Sequence, residues 1–414
     1  MREYAVVLLT AALVTFLTTP VVRMLAIRFR MMAAPRERDV HIIPTPRGGG
    51  VAMYLGVAAA MLVATRLPAL QRTFDDSQTL AVLAAGGLIC ALGVLDDRWG
   101  LDALTKLTGQ IAAAGVMVLL GVQLAFLFLP VADIGTISLG PDIGVPLTIL
   151  LTVATVNAVN FIDGLDGLAA GVSGIAALAF FAYSYHLGLV GYDDVASAPA
   201  LITAVLAGAC LGFLPHNFSP ARIFMGDSGS MLVGLMLSAA AVTATGGVDP
   251  QSFDSAATLL PLALPLLIPV AVLFIPFIDL VLAVIRRTRR GRSPFSPDKM
   301  HLHHRLLSIG HSHRRAVLVM YFWAALLSFG AVALSITGGQ VELLVAITVL
   351  LVVGVVVVLS PRARRAAREA RAAELAAQRE RSRAEHPTSR AARAAASTSG
   401  PVRDRAARPG KVFR

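Results

Sequence analysis

Residues 157–171 read NAVNFIDGLDGLAAG. Apolar runs stand on both sides, yet this stretch holds two carboxylates, two side-chain amides and three glycines. Polar groups without partners are costly in lipid. Asn157, Asn160, Asp163 and Asp166 therefore belong where a chain leaves a bilayer and turns back, or where chemistry needs them.

The rest of the chain supports the membrane setting. It has 414 residues and is 56% hydrophobic, with a mean hydropathy of +0.72. Several apolar runs reach the roughly 20 residues that cross a bilayer core. A soluble protein would break such runs with charge. The runs do not alternate apolar and polar residues, so the spans are helices and not barrel strands. The fold class is an all-α polytopic membrane protein of about eleven spans. They cover roughly 4–22, 48–66, 78–95, 106–128, 144–160, 168–187, 199–214, 229–247, 258–285, 316–336 and 341–359. The run from Tyr4 lacks a small-x-small cleavage site and reads as the first span. Cys90 and Cys210 lie inside apolar runs and read as small core residues.

Basic residues set the orientation. The loop after the first span carries Arg28, Arg30, Arg36, Arg38 and Arg47. The loop after the ninth carries RRTRRGR (286–292), Lys299, Arg305, Arg314 and Arg315. The opposite loops hold little beyond Arg66 and Arg72. The expected N-terminus is outside and the C-terminus inside. The formal charge of +11 is concentrated in the tail, where 15 Lys plus Arg face 5 Asp plus Glu from Ser360 onward. Residues 1–360 read as the membrane domain, and 361–414 as an Arg/Ala-rich cytoplasmic tail, partly disordered. A solvated tail near anionic lipid is the expectation, with no nucleic-acid partner.

That topology brings five polar clusters to one side. They are HIIPTPRGGG (41–50), LDDRWGLD (95–102), NAVNFIDGLDGL (157–168), PHNFSPARIFMGDSGS (215–230) and SPFSPDKMHLHHRLL (293–307). Each has a plain alternative. Asp227, between glycines at the start of a span, could only cap its helix. Asp96 and Asp97 could be a hydrated interfacial pair, and buried together they need a cation, a proton or water. Asp163 and Asp166 share a face if their segment is helical, as do Asn157 and Asn160. Carboxylates gathered from several loops suit a hard cation, Mg²⁺ or Mn²⁺, bridging to a phosphate. A Zn²⁺ site on His301, His303 and His304 lacks an accompanying cysteine, and Arg305 beside them fits phosphate better. Carboxylates, a basic anion-binding loop and glycine turns at a membrane surface fit phosphoryl transfer from a soluble donor to a lipid phosphate. A transporter would instead carry its charges near mid-span, where Asp279 is the clearest exception and lies near the inner end of the ninth span.

From about Tyr4 to Ser360 the chain resembles the bacterial polyprenyl-phosphate N-acetylhexosamine-1-phosphate transferases. These are relatives of the phospho-MurNAc-pentapeptide translocase. The resemblance rests on five ordered motifs: His41…Pro46-Arg47-x-Gly49-Gly50, Asp96-Asp97, NxxNxxDGLDGL, FMGDSGS and SPFSPDKMHLHHR. It implies transfer of a sugar phosphate from a UDP-N-acetylsugar to polyprenyl phosphate, with UMP released, at the cytoplasmic face of the plasma membrane. By motif, Asp227 is the Mg²⁺ ligand, with Asp97 beside it. Asp96 and Asp97 orient or deprotonate the lipid phosphate. Asn157, Asn160, Asp163 and Asp166 shape the nucleotide and metal pocket. Asn217 and Phe224 lie where family members hold uridine, Phe224 by stacking. His301, His303, His304 and Arg305 hold the diphosphate or sugar, and His41 and Arg47 belong to the substrate-binding set. Leu302 interrupts the histidine triplet and Arg305 follows it, unlike the MurNAc-pentapeptide branch, so GlcNAc is the expected sugar. The expected product begins a cell-envelope polysaccharide, and a homodimer is allowed. A phosphate monoester is mostly dianionic at neutral pH, so direct attack on the sugar-bearing phosphorus needs no strong base. A covalent aspartyl intermediate is the competing scheme.

Overall fold

In the computed structural model of the protein, the described residues are 1–33, 44–128, 136–190, 197–246, 313–337 and 340–359, with a few isolated positions beyond. Among them ten helices appear in the order α1 (Arg2–Arg28), α2 (Gly49–Ala64), α3 (Gln78–Trp99), α4 (Ala103–Leu119), α5 (Pro141–Ile162), α6 (Leu168–Leu189), α7 (Ala198–Asn217), α8 (Gly226–Gly246), α9 (His313–Ile336) and α10 (Val341–Leu359). Seven of these, α1, α3 and α5–α9, are long and apolar enough to cross a membrane. The ninth sequence-predicted span (258–285), Asp279, most of the tail, His41, and the loop with His301, His303, His304 and Arg305 lie outside the described residues.

The all-α expectation needs amendment. Two antiparallel hairpins punctuate the helices: β1 (Met32–Ala33) with β2 (Thr45–Pro46), and β3 (Phe126–Phe128) with β4 (Thr136–Ser138). The second hairpin also corrects the fourth span. Expected over 106–128, it starts earlier and ends at Leu119. Asp102 caps the helix by accepting from Leu104 N–H and Thr105 N–H, each at 3.0 Å. Beyond Leu119 the chain turns and pairs as β3.

α8 is the axis of the bundle and almost wholly buried. α2, α3, α5 and α7 pack around it. Its neighbours approach through glycine, because backbone contact leaves no space for a side chain. A Cβ on Gly50 of α2 would overlap the Gly229 amide, one on Gly93 of α3 would overlap Ser228, and one on α8's Gly234 would overlap Val156 of α5. Small residues play this part in membranes, where lipid offers no hydrophobic drive between helices and packing must supply the attraction. The same logic joins α1 to α7, with Gly208 and Gly212 lying on the Leu8 and Ala12 carbonyls.

α1 contains Pro20, whose missing N–H leaves the Phe16 carbonyl without its helical donor. His216 of α7 fills that role, its Nε2 lying 3.1 Å from Phe16 O. Since a carbonyl only accepts, Nε2 carries the proton. One turn on, Arg23 Nε donates to Arg222 O at 3.0 Å. The C-terminal half of α1 is thereby fastened to the segment between α7 and α8.

Gly93→Ala should lower stability by roughly 1–3 kcal/mol, the usual cost of overpacking a tight contact. Gly115→Ala, where a Cβ meets nothing within 4 Å, should be neutral or gain up to about 1 kcal/mol of helix propensity. Melting temperatures of the two variants in detergent check this contrast.

Candidate active site

At one end of the bundle, α3 ends and α8 begins side by side. Asp97 is buried and makes the join: its Oδ1 accepts from Asp227 N–H at 2.9 Å, and its Oδ2 from Ser228 N–H at 3.2 Å and Ser228 Oγ at 2.9 Å. The carboxylate of one helix thus caps the N-terminus of another, satisfying amides that open every helix. Gly226 enters α8 at φ +71, and a Cβ there would strike the Asp97 carboxylate. Expected beside the metal, Asp97 commits both oxygens to α8.

Asp96, its neighbour, faces the other way. Asp96 Oδ1 accepts from Leu101 N–H at 2.7 Å, and Oδ2 lies 2.8 Å from Lys106 Nζ. The same ammonium reaches Asp227 Oδ1 at 2.7 Å. Asn160 Nδ2 also donates to that oxygen and, at 2.8 Å, to Ser230 Oγ. Asp96, Lys106, Asn160 and Asp227, from α3, α4, α5 and α8, therefore form one cluster. Asn157, one turn before Asn160, donates to Gln110 Oε1 at 2.8 Å. Gln110 is buried and its Nε2 points to Met231 Sδ at 3.4 Å. So Asn157 supports the cluster from beneath.

Sequence reasoning missed Lys106 and Gln110. A signal for Lys106 existed: the chain has three lysines, and this one sits within an apolar run. Its partners are distant in sequence, so pairing could not be read from spacing.

The opening stretch divides differently from a single helix. α5 stops at Ile162 and α6 starts at Leu168, so the shared helical face for Asp163 and Asp166 does not form. Residues 163–167 are a turn closed by Gly167 at φ +77. Asp166 is turned away from the cluster, and its Oδ2 accepts from Ala221 N–H at 3.0 Å. Asp163 points inward, half-buried, and takes no hydrogen bond from the described residues. Burial first, and then the Asp227 and Asp97 carboxylates, push its carboxyl up to about 7, while Arg47 pulls the other way.

Asn217 is buried, and its amide is spent on backbone. Its Oδ1 accepts from Gly167 N–H at 3.0 Å and its Nδ2 donates to Ile223 O at 3.0 Å. It staples the 163–167 turn to the segment before α8. The role expected for it, holding uridine, would need those groups free. Phe224 is half-exposed and its N–H donates to Pro46 O at 2.8 Å. The 45–50 segment continues the contact, with Gly49 and Gly50 N–H donating to Phe224 O and Met225 O, each at 3.1 Å. Arg47 therefore stands beside Phe224 and within electrostatic reach of Asp163.

No three His, Cys, Asp or Glu side chains converge as a metal cage among the described residues. Mg²⁺ does not require one, since it is commonly held by one or two carboxylates plus substrate phosphates and water. Asp227 Oδ2, the oxygen not held by Lys106 or Asn160, and the Asp163 carboxylate are donors of that kind. Paired carboxylates with a lysine at their edge are a donor set that could hold such a cation against a phosphate.

Comparison with known proteins identifies the chain's relatives. Residues 79–245, from α3 through α8, match the model of glycosyl transferase family 4. The chain is 55% identical over 370 residues to a decaprenyl-phosphate N-acetylglucosaminephosphotransferase of Mycolicibacterium smegmatis, covering 88% of this chain and 90% of the relative. It is 53% identical over 80% of its length to the Mycobacterium tuberculosis protein of that name, 82% of which is covered. A probable undecaprenyl-phosphate N-acetylglucosaminyl 1-phosphate transferase of Bacillus subtilis is 31% identical, over 81% of this chain and 86% of its own. With its clustered carboxylates inside the matched region, the chain belongs to glycosyl transferase family 4.

Proposed function

We propose that this protein transfers N-acetylglucosamine 1-phosphate from UDP-N-acetylglucosamine to a polyprenyl phosphate, releasing UMP and forming polyprenyl-diphospho-N-acetylglucosamine. The observation that carries this reading is the Asp96–Lys106–Asp227–Asn160 cluster at one end of the bundle. The chain's relatives at more than 50% identity are named for decaprenyl phosphate, which makes that lipid the first acceptor to test. In the orientation favoured by the basic loops, eleven spans leave the N-terminus outside and the cluster facing the cytoplasm. There a soluble nucleotide sugar meets a lipid headgroup. Arg23, Arg47, Arg222 and Arg314 gather at this same end, as positive-inside placement requires.

The reaction exchanges one phosphorus–oxygen bond for another. An oxygen of the dianionic lipid phosphate attacks the sugar-bearing phosphorus of the donor. The bond from that phosphorus to the bridging oxygen breaks, and its electron pair leaves with UMP. Bound Mg²⁺, or Mn²⁺ in its place, would neutralise the diphosphate and the leaving group. Asp227 Oδ2 and Asp163 are the residues that would hold it. Lys106 keeps Asp96 and Asp227 from repelling each other and presents positive charge where the leaving phosphate gains negative charge. Asp97 fixes Asp227 through the α8 cap. Arg47 faces the donor from the α2 side. The His301, His303, His304 and Arg305 segment supplies further cationic contacts to the diphosphate or sugar.

Purified protein, radiolabelled UDP-N-acetylglucosamine and decaprenyl phosphate in detergent should yield an organic-soluble product that disappears with EDTA and returns with Mg²⁺. Failure to form that product, or indifference to EDTA, overturns the reading. Asp227→Asn should be inactive in this assay. Lys106→Met should lower kcat by roughly 10²–10³-fold, the usual loss for a group that stabilises transition-state charge.

The raised pKa of Asp163 gives a separate check. An acid whose folded pKa exceeds its unfolded value binds a proton on folding, so its stabilising contribution is lost as pH rises from about 4 toward about 7. In EDTA, the melting temperature of the wild-type protein should fall across that window relative to Asp163→Asn. Equal pH profiles for the two proteins would contradict the electrostatic account of the turn.

A further inference from the structure

The 163–167 turn is held from a helix that the chemistry above does not use. α9 packs against α6. Tyr321 of α9 lays its ring on Gly171, where a Cβ would overlap the phenol. Its hydroxyl donates to the Gly167 carbonyl. From the other direction, Asn217 of α7 accepts from the Gly167 N–H at 3.0 Å. Both backbone polar groups of one left-handed glycine are thus held by side chains of two other helices. Seven positions before Tyr321, two turns back and on the same face, Arg314 Nε donates to Ser219 O at 2.9 Å. Two residues after Ser219, Ala221 N–H holds Asp166.

We propose that Tyr321 is a positioning residue for the transfer reaction: its hydroxyl, on the Gly167 carbonyl, sets the turn that carries Asp163 and Asp166. The inference rests on the transfer reading for its kinetic arm. A five-residue link closed by a glycine has wide backbone freedom, and cross-helix bonds are what narrow it. Without the phenol donor the Gly167 carbonyl keeps the Gly171 N–H of α6, at 2.9 Å, and loses its link to α9. The turn then rotates about the Asn217 bond and carries Asp163 away from Asp227. Arg314 and Asn217 hold the neighbouring 217–223 segment, so the disturbance is confined to the turn and spares the α8 cap.

Tyr321→Phe keeps the ring on Gly171 and deletes only the hydroxyl. Tyr54→Phe is the matched control. The Tyr54 hydroxyl donates to Leu83 O at 3.1 Å between α2 and α3, about 20 Å along α3 from Asp96 at 1.5 Å per residue. With both substrates saturating, Tyr321→Phe should lower kcat about 10- to 100-fold, as misplacement of a reacting group does, and leave KM for decaprenyl phosphate within about twofold. Tyr54→Phe should stay within about twofold in both constants. Hydrogen exchange on the protein without substrate supplies a second readout. The peptide spanning residues 163–168 should exchange about 10-fold faster in Tyr321→Phe than in wild type, and be unchanged in Tyr54→Phe. Equal exchange of that peptide in wild type and Tyr321→Phe, or equal kinetic losses in the two variants, overturns the proposal. If the wild-type protein makes no lipid product, the transfer reading fails, and the exchange comparison alone decides whether Tyr321 sets the turn.

Discussion

The first amides of α8 open into protein, and the Asp97 carboxylate of α3 is what receives them. Because Asp97 and Ser228 are buried, the alternative at the Ser228 amide is an unsatisfied donor in a medium of low dielectric. The join also dictates its surroundings. Gly93 is glycine because α3 meets the α8 backbone there, Gly226 because a Cβ would strike the Asp97 carboxylate, and Gly229 because a Cβ would crowd Met225 and Gly50 of α2. Asp227, next to the capped amide, inherits its direction from the cap. The Asp227 carboxylate is thus positioned by backbone geometry and needs no long side-chain relay.

Placing Asp96, Asp97, Asp163 and Asp227 together creates an excess of negative charge that the protein only partly offsets. Lys106 bridges two of these carboxylates, the α8 amides serve a third, and Asp163 is left to take up a proton near neutrality. Under the proposed reaction, incomplete neutralisation would favour a divalent ion carrying a diphosphate, for which a site already balanced by its own cations would have little affinity.

Much of this was legible in the sequence, for identifiable reasons. Apolar runs set the helices, since lipid punishes any other backbone arrangement, and the spans at 168–187 and 341–359 match α6 and α10 closely. Asp96, Asp227 and Asn160 were singled out by polarity next to such runs, and they meet. The misreadings have local causes. The fourth span ends short of expectation: FLF (126–128) is as apolar as a helix would be, and only the pairing of β3 with β4 distinguishes it. Asp163 and Asp166 looked equivalent by spacing, whereas a turn sends one to Ala221 and the other toward Asp227. Asn217 was expected near uridine, and its amide bonds Gly167 and Ile223 backbone groups. Lys106 was passed over because its partners come from distant helices.

The Pro20 carbonyl gap bears on how the protein is made. Phe16 and His216 are separated by 200 positions, so α1 enters the bilayer with an open acceptor long before its donor has been synthesised. Until α7 arrives, that carbonyl must borrow a partner from lipid headgroups, water or a neighbouring side chain. The first helix therefore completes its own hydrogen bonding only once α7 packs against it. Closure of α1 against α7 through this bond waits for His216 and is available before α8, with Asp227, follows in the chain.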